Sequence, residues 1–476
     1  MRMPIWLGAR ARLAPDAPAL RCGDAQWSFA ELDQAAHRTA HALRARGVRA
    51  GDRVALRLPN GADFVALVHG AQLCGAALVP LNTRLTAREL DFQLRDCGPR
   101  VLVETPLGDG APESELCREL DLSDTAAVVY TSGTSGAPKG AELSHGAFLW
   151  SAVGASFQQG AAPGDRWLAC LPLFHVGGLA ILYRSVLSGA AVTLHERFDP
   201  ARVADELDHG GITLVSLVAN MLERVLDARG ERPAPPALRC VLLGGGPAPR
   251  DLLARARALG FPVATTYGLT ETASQVATLP LELARRDGDA VGVPLFANEL
   301  RIVSPDGVAL PPGEAGEIAV RGPTLMKGYL GRPAETAAAL RDGWLFTGDV
   351  GTLDARGFLR VLDRRSDLIV CGGENVYPAE VEAALRAHPA VGDAGVAGEP
   401  DSRFGRRVAA WVILRPEARA STDELEAFCR ARIAGYKIPR AFHFVDELPR
   451  GPSGKLLRRE LAEGASRIGA AATEAD

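Results

Sequence analysis

Tyr130 closes a strand-like run, and Thr131-Ser132-Gly133-Thr134-Ser135-Gly136-Ala137-Pro138-Lys139-Gly140 follows it. A loop of this composition offers backbone N–H groups and hydroxyls to phosphate oxygens. Its glycines let the backbone come close, and Lys139 adds a movable positive charge. It is not a Walker A loop, which needs Gly directly before Lys and Ser or Thr after it; here Pro138 precedes Lys139 and Gly140 follows. A flexible surface linker is the plain alternative, but linkers seldom follow a strand end so closely. Other groups of chemical interest stand further along. They are Glu271 in Thr266-Tyr267-Gly268-Leu269-Thr270-Glu271, Asp349 in Phe346-Thr347-Gly348-Asp349, His175 in Leu171–Gly178, and Lys455 in Leu448–Lys455. Each has a plainer reading. Glu271 suits a helix start, Asp349 a turn after glycine, His175 a core position, and Lys455 a solvated basic tail with Arg458 and Arg459.

The lysine count narrows the choice. Of 53 basic residues only Lys139, Lys327, Lys437 and Lys455 are lysines. Where only a surface charge is needed, arginine has taken the position, so a remaining lysine can mark a place for a compact ammonium on a thin stem. Chance accounts for any one of them equally well.

Taken in order, these segments resemble the signatures of the adenylate-forming superfamily, which holds acyl-CoA synthetases, peptide-synthetase adenylation domains and luciferases. The matching segments are Thr131–Gly140, Thr266–Thr272, Phe346–Asp349, Asp363–Asp367, Gly372–Pro378 and Leu448–Lys455, and they span roughly residues 25 to 460. The resemblance implies ATP, Mg2+ and coenzyme A as cosubstrates and metal, and a small-molecule carboxylic acid as substrate. A carboxylate is a poor electrophile, and attack on the α-phosphate converts it to an acyl-adenylate with a good leaving group. That step brings two anions together, so charge must be neutralised and the line of attack held.

The resemblance also implies roles residue by residue. Thr131, Ser132, Gly133, Thr134, Ser135, Gly136 and Lys139 would cradle phosphates. Gly244, Gly245 and Gly246 with Thr266, Tyr267 and Gly268 would seat adenine. Asp349 would accept the ribose hydroxyls, with Arg364 nearby. Glu271 would hold the metal and Thr270 a phosphate oxygen. Lys455 would bridge the carboxylate and α-phosphate oxygens. A hinge at Ser366 would swing the small domain between half-reactions, bringing Gly372, Gly373 and Lys437 to coenzyme A. Asp363 departs from the glycine usual before the hinge arginine, which touches hinge detail only.

For the acid, His175 and Gly178 would lie at the acyl pocket. No aspartate stands hereabouts to bind an amino group, which points away from amino acids. Leu173–Gly178, Leu243–Pro247, Glu271–Thr278, Val291–Phe296 and Gly372–Pro378 look most like o-succinylbenzoate–CoA ligases of menaquinone synthesis. That substrate has a second carboxylate, for which Arg184 is the candidate; an exposed arginine is an equal reading, since the guanidinium suits both settings. Val293 and Ala290 stand where some relatives have Lys and Ser. A medium-chain or aryl acyl-CoA synthetase is the alternative, and a non-catalytic nucleotide-binding protein on this fold a third.

These groups need a scaffold. Helices and strands alternate to about Gly268, with strands expected at Arg53–Leu58, Ala126–Tyr130, Trp167–Leu171, Ala191–His195, Leu214–Leu217 and Cys240–Leu243. Such alternation implies parallel sheets covered by helices. After Val291, short runs broken by Gly, Pro and Asp predict a small antiparallel or barrel-like unit. Beyond Asp363–Asp367 an α/β pattern restarts. The expected class is therefore α/β: a large N-terminal domain (1–363) with a small barrel-like part, a hinge (364–367), and a small mobile α+β domain (368–476) with a disordered tail from 466. The 476 residues exceed one compact core. A net charge of −4 gives no reason for nucleic acid, and no apolar run reaches the roughly 18 residues of a membrane span. The eight cysteines are scattered, with no Cys-x-x-Cys, and Met1–Arg12 lacks the apolar stretch of a secretion signal. Both suit a reducing cytoplasm. A homodimer is left open.

Overall fold

The computed structural model describes residues 1–461 except 109, 111–114, 133–137, 163, 247, 285–290, 364–368, 402–403, 450–455, 457 and 459. Contacts divide the chain into two units. One comprises Met1–Thr83, Asp96–Tyr130 and Gly140–Leu362; the other comprises Arg84–Arg95, Thr131–Lys139 and Asp363–Asp476.

The first unit rests on two large sheets. In the nine-stranded sheet, Val263–Leu269, Cys240–Leu243, Leu214–Leu217, Arg166–Ala169, Ala191–Leu194 and Pro18–Cys22 are neighbours in that order, all parallel. Leu214–Leu217 and Cys240–Leu243 are buried at every position, as strands covered on both faces must be. The sheet's edges are antiparallel, through Ala25–Ser28 on one side and Ser274–Thr278 with Val293–Pro294 on the other. The expectation of parallel sheets missed these edges, because short return strands carry little periodicity of their own. The six-stranded sheet runs Gly328–Tyr329, Pro138–Ser144, Thr125–Ser132, Ala77–Pro80, Arg53–Leu56, Val101–Val103.

Helices cover these sheets for local reasons. Phe29–Ala45 opens with a capping box, in which Ser28 Oγ accepts from Glu31 N–H and Glu31 accepts from Ser28 N–H. Its Leu32, Ala36, Ala40 and Leu43 are buried at helical spacing, and Gly47 turns the chain at φ +81°. The helix Val176–Ser188 starts immediately after His175 and ends at left-handed Gly189.

The run after Val291 forms a five-stranded sheet from Glu299–Val303, Gly316–Arg321, Trp344–Leu353, Leu340–Arg341 and Leu359–Asp363, antiparallel in its described pairings. The strand Trp344–Leu353 is longer than the sequence pattern suggests and carries Asp349 in its middle.

In the second unit, Val391–Asp401 and Gly405–Leu414 form an antiparallel hairpin to which Ala441–Phe444 adds in parallel. The helices Pro378–Arg386 and Thr422–Arg430 pack with it around Val381, Leu385, Val396, Val412 and Leu425. All eight cysteines are free thiols, and among the described residues no helix is long and apolar enough to cross a membrane.

Candidate active site

The strand Val263–Leu269 leaves the parallel sheet by pairing antiparallel with Ser274–Thr278, and a register shift falls at Tyr267/Gly268. A Cβ on Gly268 would lie 1.7 Å from the Ser274 carbonyl oxygen, so only glycine fits. Between the two strands, Thr270–Thr272 forms a 3₁₀ turn, and Ala273 and Ser274 follow at φ +50° and +97°. Such backbone costs on the order of 1 kcal/mol per residue. It is held by Thr272 Oγ1, which accepts from Leu269 N–H (3.0 Å), and by Ser151 Oγ, which donates to the Ala273 carbonyl (2.8 Å).

This turn buries Glu271 to 5% exposure. Tyr329 Oη donates to Glu271 Oε1 at 2.7 Å, and Met326 N–H donates to the Glu271 carbonyl at 2.8 Å. Among the described residues no group of three or more His, Cys, Asp or Glu could cage a metal. A single buried carboxylate instead fits Mg2+ delivered on a nucleotide, since that ion keeps phosphate oxygens and waters and takes only one or two protein carboxylates.

On the same strand, Tyr267 is 1% exposed, and its phenol donates to Asp349 Oδ2 at 2.6 Å. Asp349 N–H donates to Thr347 Oγ1, which donates to the Ile318 carbonyl. Gly244 faces Thr266 so closely that a Cβ there would meet Thr266 Cγ2 at 2.7 Å, and Gly245 turns at φ +77° before Gly246. Thr266 Oγ1 bonds Thr278 Oγ1 at 2.8 Å, leaving Thr270 at the start of the Glu271 turn. Thr131 and Ser132 end the strand Thr125–Ser132, and Lys139 and Gly140 open Pro138–Ser144. Gly133, Thr134, Ser135, Gly136, Arg364, Ser366 and Lys455 lie outside the described residues.

His175 stands at the start of the helix Val176–Ser188, its ring 4.5 Å from that of Phe174. A Cβ on Gly178 would fall 2.3 Å from the Pro172 carbonyl oxygen, so this glycine lets the helix close on its own loop. Two turns on, Arg184 is 3% exposed. Nη2 donates to Ser274 Oγ at 3.0 Å, and Gln275, with its carbonyl turned toward the guanidinium, accepts from Nη1 at 2.9 Å. The guanidinium lies 5.7 Å from the Trp167 ring centroid. Among the described residues Nε has no partner and no carboxylate pairs with Arg184. Burial pushes its pKa down to about 10.

In the second unit, Gly372 and Gly373 make a left-handed turn (φ +58° and +87°) between Ile369–Cys371 and Glu374–Val376. Lys437 is 4% exposed, its ammonium held by Glu89 Oε1 at 2.5 Å and Glu380 Oε1 at 2.8 Å. Burial opposes its charge, yet Glu380, Tyr436 and Glu89 together raise its pKa. The lysine expected to face coenzyme A thus has its charge engaged by two carboxylates.

The sequence profile of the AMP-binding enzyme family matches residues 7–330, and that of the AMP-binding enzyme C-terminal domain matches residues 380–455. The chain belongs to the AMP-binding enzyme family. It is 46% identical over 477 residues to the 2-succinylbenzoate–CoA ligase of Geobacillus kaustophilus, covering 96% of this chain and 97% of that one. With the 2-succinylbenzoate–CoA ligase of Bacillus subtilis it is 43% identical over 479 residues, covering 97% and 98%. Among solved structures, o-succinylbenzoate CoA synthetase from Bacillus subtilis bound with a product analogue superposes at a TM-score of 0.92, with 42% identity over 97% of this chain and 98% of that one. The same enzyme with its acyl-adenylate intermediate gives 0.75, with 43% identity and the same coverage.

Within this AMP-binding enzyme the first unit joins Tyr267 to Asp349 by a side-chain hydrogen bond, sets Glu271 in the turn that follows the tyrosine's strand, and ties Arg184 to Ser274, three residues beyond Glu271. Sequence reading missed Tyr329, Ser274, Gln275 and Asn60. Asn60 is 8% exposed, donates to the Leu171 and His195 carbonyls and accepts from Leu173 N–H, pinning the loop that leads to His175. The turn-forming Pro59-Asn60-Gly61 was the available signal.

Proposed function

We propose that the protein is an ATP-dependent carboxylate–CoA ligase acting through an acyl-adenylate, and that its acid is o-succinylbenzoate. The class follows from the family and from full-length relatives named as such ligases. The choice of acid is carried by Arg184, a buried guanidinium with no carboxylate partner among the described residues. An arginine desolvated without a counter-ion is costly unless a ligand supplies the anion. A dicarboxylic acid does so: one carboxylate enters the reaction, and the other pairs with Arg184 beside Ser274 and Gln275.

In the first half-reaction an oxygen of the reacting carboxylate attacks the α-phosphorus, and the bond to diphosphate breaks. Thr131–Gly140 holds the phosphates, Thr270 a phosphate oxygen, and Asp349 the ribose hydroxyls with Tyr267 orienting it. Glu271 would hold Mg2+, which when bound would neutralise phosphate charge. Lys455 binds the carboxylate and α-phosphate oxygens as negative charge gathers between them. In the second half-reaction the coenzyme A thiol, losing its proton, attacks the acyl carbon and AMP departs. Gly372 and Gly373 leave backbone room for the approaching thiol arm, with Arg364 and Ser366 at the hinge. Lys437 contributes to the coenzyme A face by fixing Glu89 and Glu380. We place the reaction in the cytoplasm, where ATP and coenzyme A are found, with its product serving menaquinone biosynthesis.

The test is acid-dependent diphosphate release from ATP across a panel of o-succinylbenzoate, benzoate and octanoate. Release with o-succinylbenzoate alone is expected. Release with benzoate or octanoate instead rejects the acid and keeps the ligase; release with none rejects both.

A further inference from the structure

The segment Met326-Lys327-Gly328-Tyr329 has no part in the reaction as described so far, yet it clamps the Glu271 turn from two sides. Met326 N–H holds the Glu271 backbone carbonyl at 2.8 Å, and Tyr329 Oη holds the Glu271 carboxylate at 2.7 Å. Both side chains of the latter pair are buried, at 7% and 5% exposure. The remaining residues of the segment are framework. Gly328, at φ +155°, has no room for a side chain, because a Cβ would meet Thr336 Cγ2 at 2.8 Å. Lys327 Nζ donates to Thr125 Oγ1 at an exposed position.

Tyr329 itself is fixed from the backbone. Its N–H donates to Thr336 Oγ1 at 2.9 Å, and Gly328 and Tyr329 pair antiparallel with Glu142 and Ala141. Lys327 N–H donates to the Glu142 carbonyl and Leu330 N–H to the Gly140 carbonyl, each at 2.8 Å. The partner strand, Pro138–Ser144, therefore holds the chain on both sides of the tyrosine.

We propose that Tyr329 is a positioning residue for the metal-holding carboxylate. Its hydroxyl occupies Oε1 of Glu271, so that Oε2 would be the oxygen left to hold the metal. It also ties that carboxylate to the strand that continues directly from the phosphate-binding segment. Mg2+ requires near-ideal octahedral geometry and takes a carboxylate through one oxygen when phosphates and waters fill the other positions. A carboxylate free to rotate would present either oxygen or both; one held by a neutral donor presents a single oxygen in a fixed direction. Hydrogen-bond partners of metal ligands characteristically carry 10–100-fold of metal affinity.

This rests on the reading of Glu271 as the metal carboxylate, and the experiment separates the two. Binding of a non-hydrolysable ATP analogue is measured by calorimetry with and without Mg2+. The gain in affinity on adding Mg2+ reports the metal's contact with the protein. Tyr329→Phe is expected to reduce that gain roughly 10-fold and to leave metal-free nucleotide binding at the wild-type value. Glu271→Gln is expected to abolish the gain. If Glu271→Gln keeps the gain, the metal assignment falls and the inference with it. If Glu271→Gln loses the gain while Tyr329→Phe keeps it, the inference alone is overturned. Equal weakening with and without metal in Tyr329→Phe also overturns it, because that outcome is a structural role. Should the phenylalanine variant unfold, Thr336→Val loosens the tyrosine backbone and keeps the hydroxyl. It is expected to show a smaller loss confined to the Mg2+ gain, and an unchanged gain overturns the proposal.

Discussion

Tyr267 and Asp349 are joined by a 2.6 Å hydrogen bond from phenol to carboxylate, and both side chains are buried. The tyrosine lies on the strand Val263–Leu269 and the aspartate in the middle of Trp344–Leu353, so the bond fastens the five-stranded sheet to the parallel one at the site. One oxygen of Asp349 is thereby oriented before any ribose arrives. Tyr267→Phe removes that bond and keeps the ring. A hydrogen bond to a charged group contributes about 1.5–3 kcal/mol, and part of this returns when Asp349 finds other donors. The KM for ATP in diphosphate release is expected to rise about tenfold with kcat nearly unchanged. A fall in kcat at constant KM contradicts a role in binding the ground state.

The order of motifs was legible because each is contiguous: Thr266–Glu271 and Phe346–Asp349 announce themselves locally. What ties them together was not. Tyr329 reaches Glu271 from 58 positions away, and no periodicity encodes a hydrogen bond of that kind. Arg184 was undecidable in an arginine-rich chain until burial separated a pocket guanidinium from a surface one. Lys437 was expected at the coenzyme A face, but its two carboxylate partners, Glu89 and Glu380, come from distant segments that no local pattern announces. The parallel core was legible from buried β-rich runs, while the antiparallel edges follow from turns such as Ala273-Ser274, where non-glycine residues take positive φ.

Arg184 sets recognition against stability. With its pKa pushed down to about 10, the buried guanidinium costs the free protein about 3 kcal/mol, since each pKa unit corresponds to about 1.4 kcal/mol. Arg184→Met removes that cost and forfeits bonds to Ser274 and Gln275 at roughly 1 kcal/mol each. Thermal unfolding is therefore expected to show a free protein more stable by about 1 kcal/mol. The same variant should lose about 100-fold in kcat/KM for o-succinylbenzoate, in line with the 2–5 kcal/mol typical of truncating one partner of a buried charge pair. A variant that is less stable and equally active refutes both halves.

Acid is expected to weaken the first unit through two histidines. Burial pushes His69 and His145 down to about 4 from an ordinary 6.5, with the Gln72 bond acting the other way on His69. Between pH 4 and 6.5 the unfolded chain therefore binds more protons than the folded one, and stability rises with pH across that window. It is complete above 6.5 and is lost as pH falls toward 4, at up to about 1.4 kcal/mol per pH unit for each histidine. His69→Asn should remove one such increment of slope in denaturant unfolding measured at a series of pH values. An unchanged slope shows that His69 is not neutral in the fold.

Glu382, on the helix Pro378–Arg386, binds Arg458, which stands three positions after Lys455 in the sequence. It is 3% exposed and accepts from Arg458 Nη2 through both oxygens at 2.9 Å, from Arg386 Nη2 at 3.3 Å and from Val396 N–H at 3.0 Å. Arg458 is itself 10% exposed, so Glu382→Gln breaks a buried charge pair. Breaking such a pair costs about 3–5 kcal/mol. Hydrogen exchange in the hairpin Val391–Asp401 with Gly405–Leu414 is expected to accelerate, while exchange in Leu214–Leu217 of the first unit stays as in the wild type. The double variant Glu382→Leu with Arg458→Met removes both charges at similar volume, and should recover most of the loss, since apolar replacement of a buried ion pair is often neutral or stabilising. If the single variant exchanges at the wild-type rate, Glu382 carries no stabilising charge pair. If the double variant is as weak as the single one, the bond to Val396 N–H, rather than the charge pair, is what holds the hairpin.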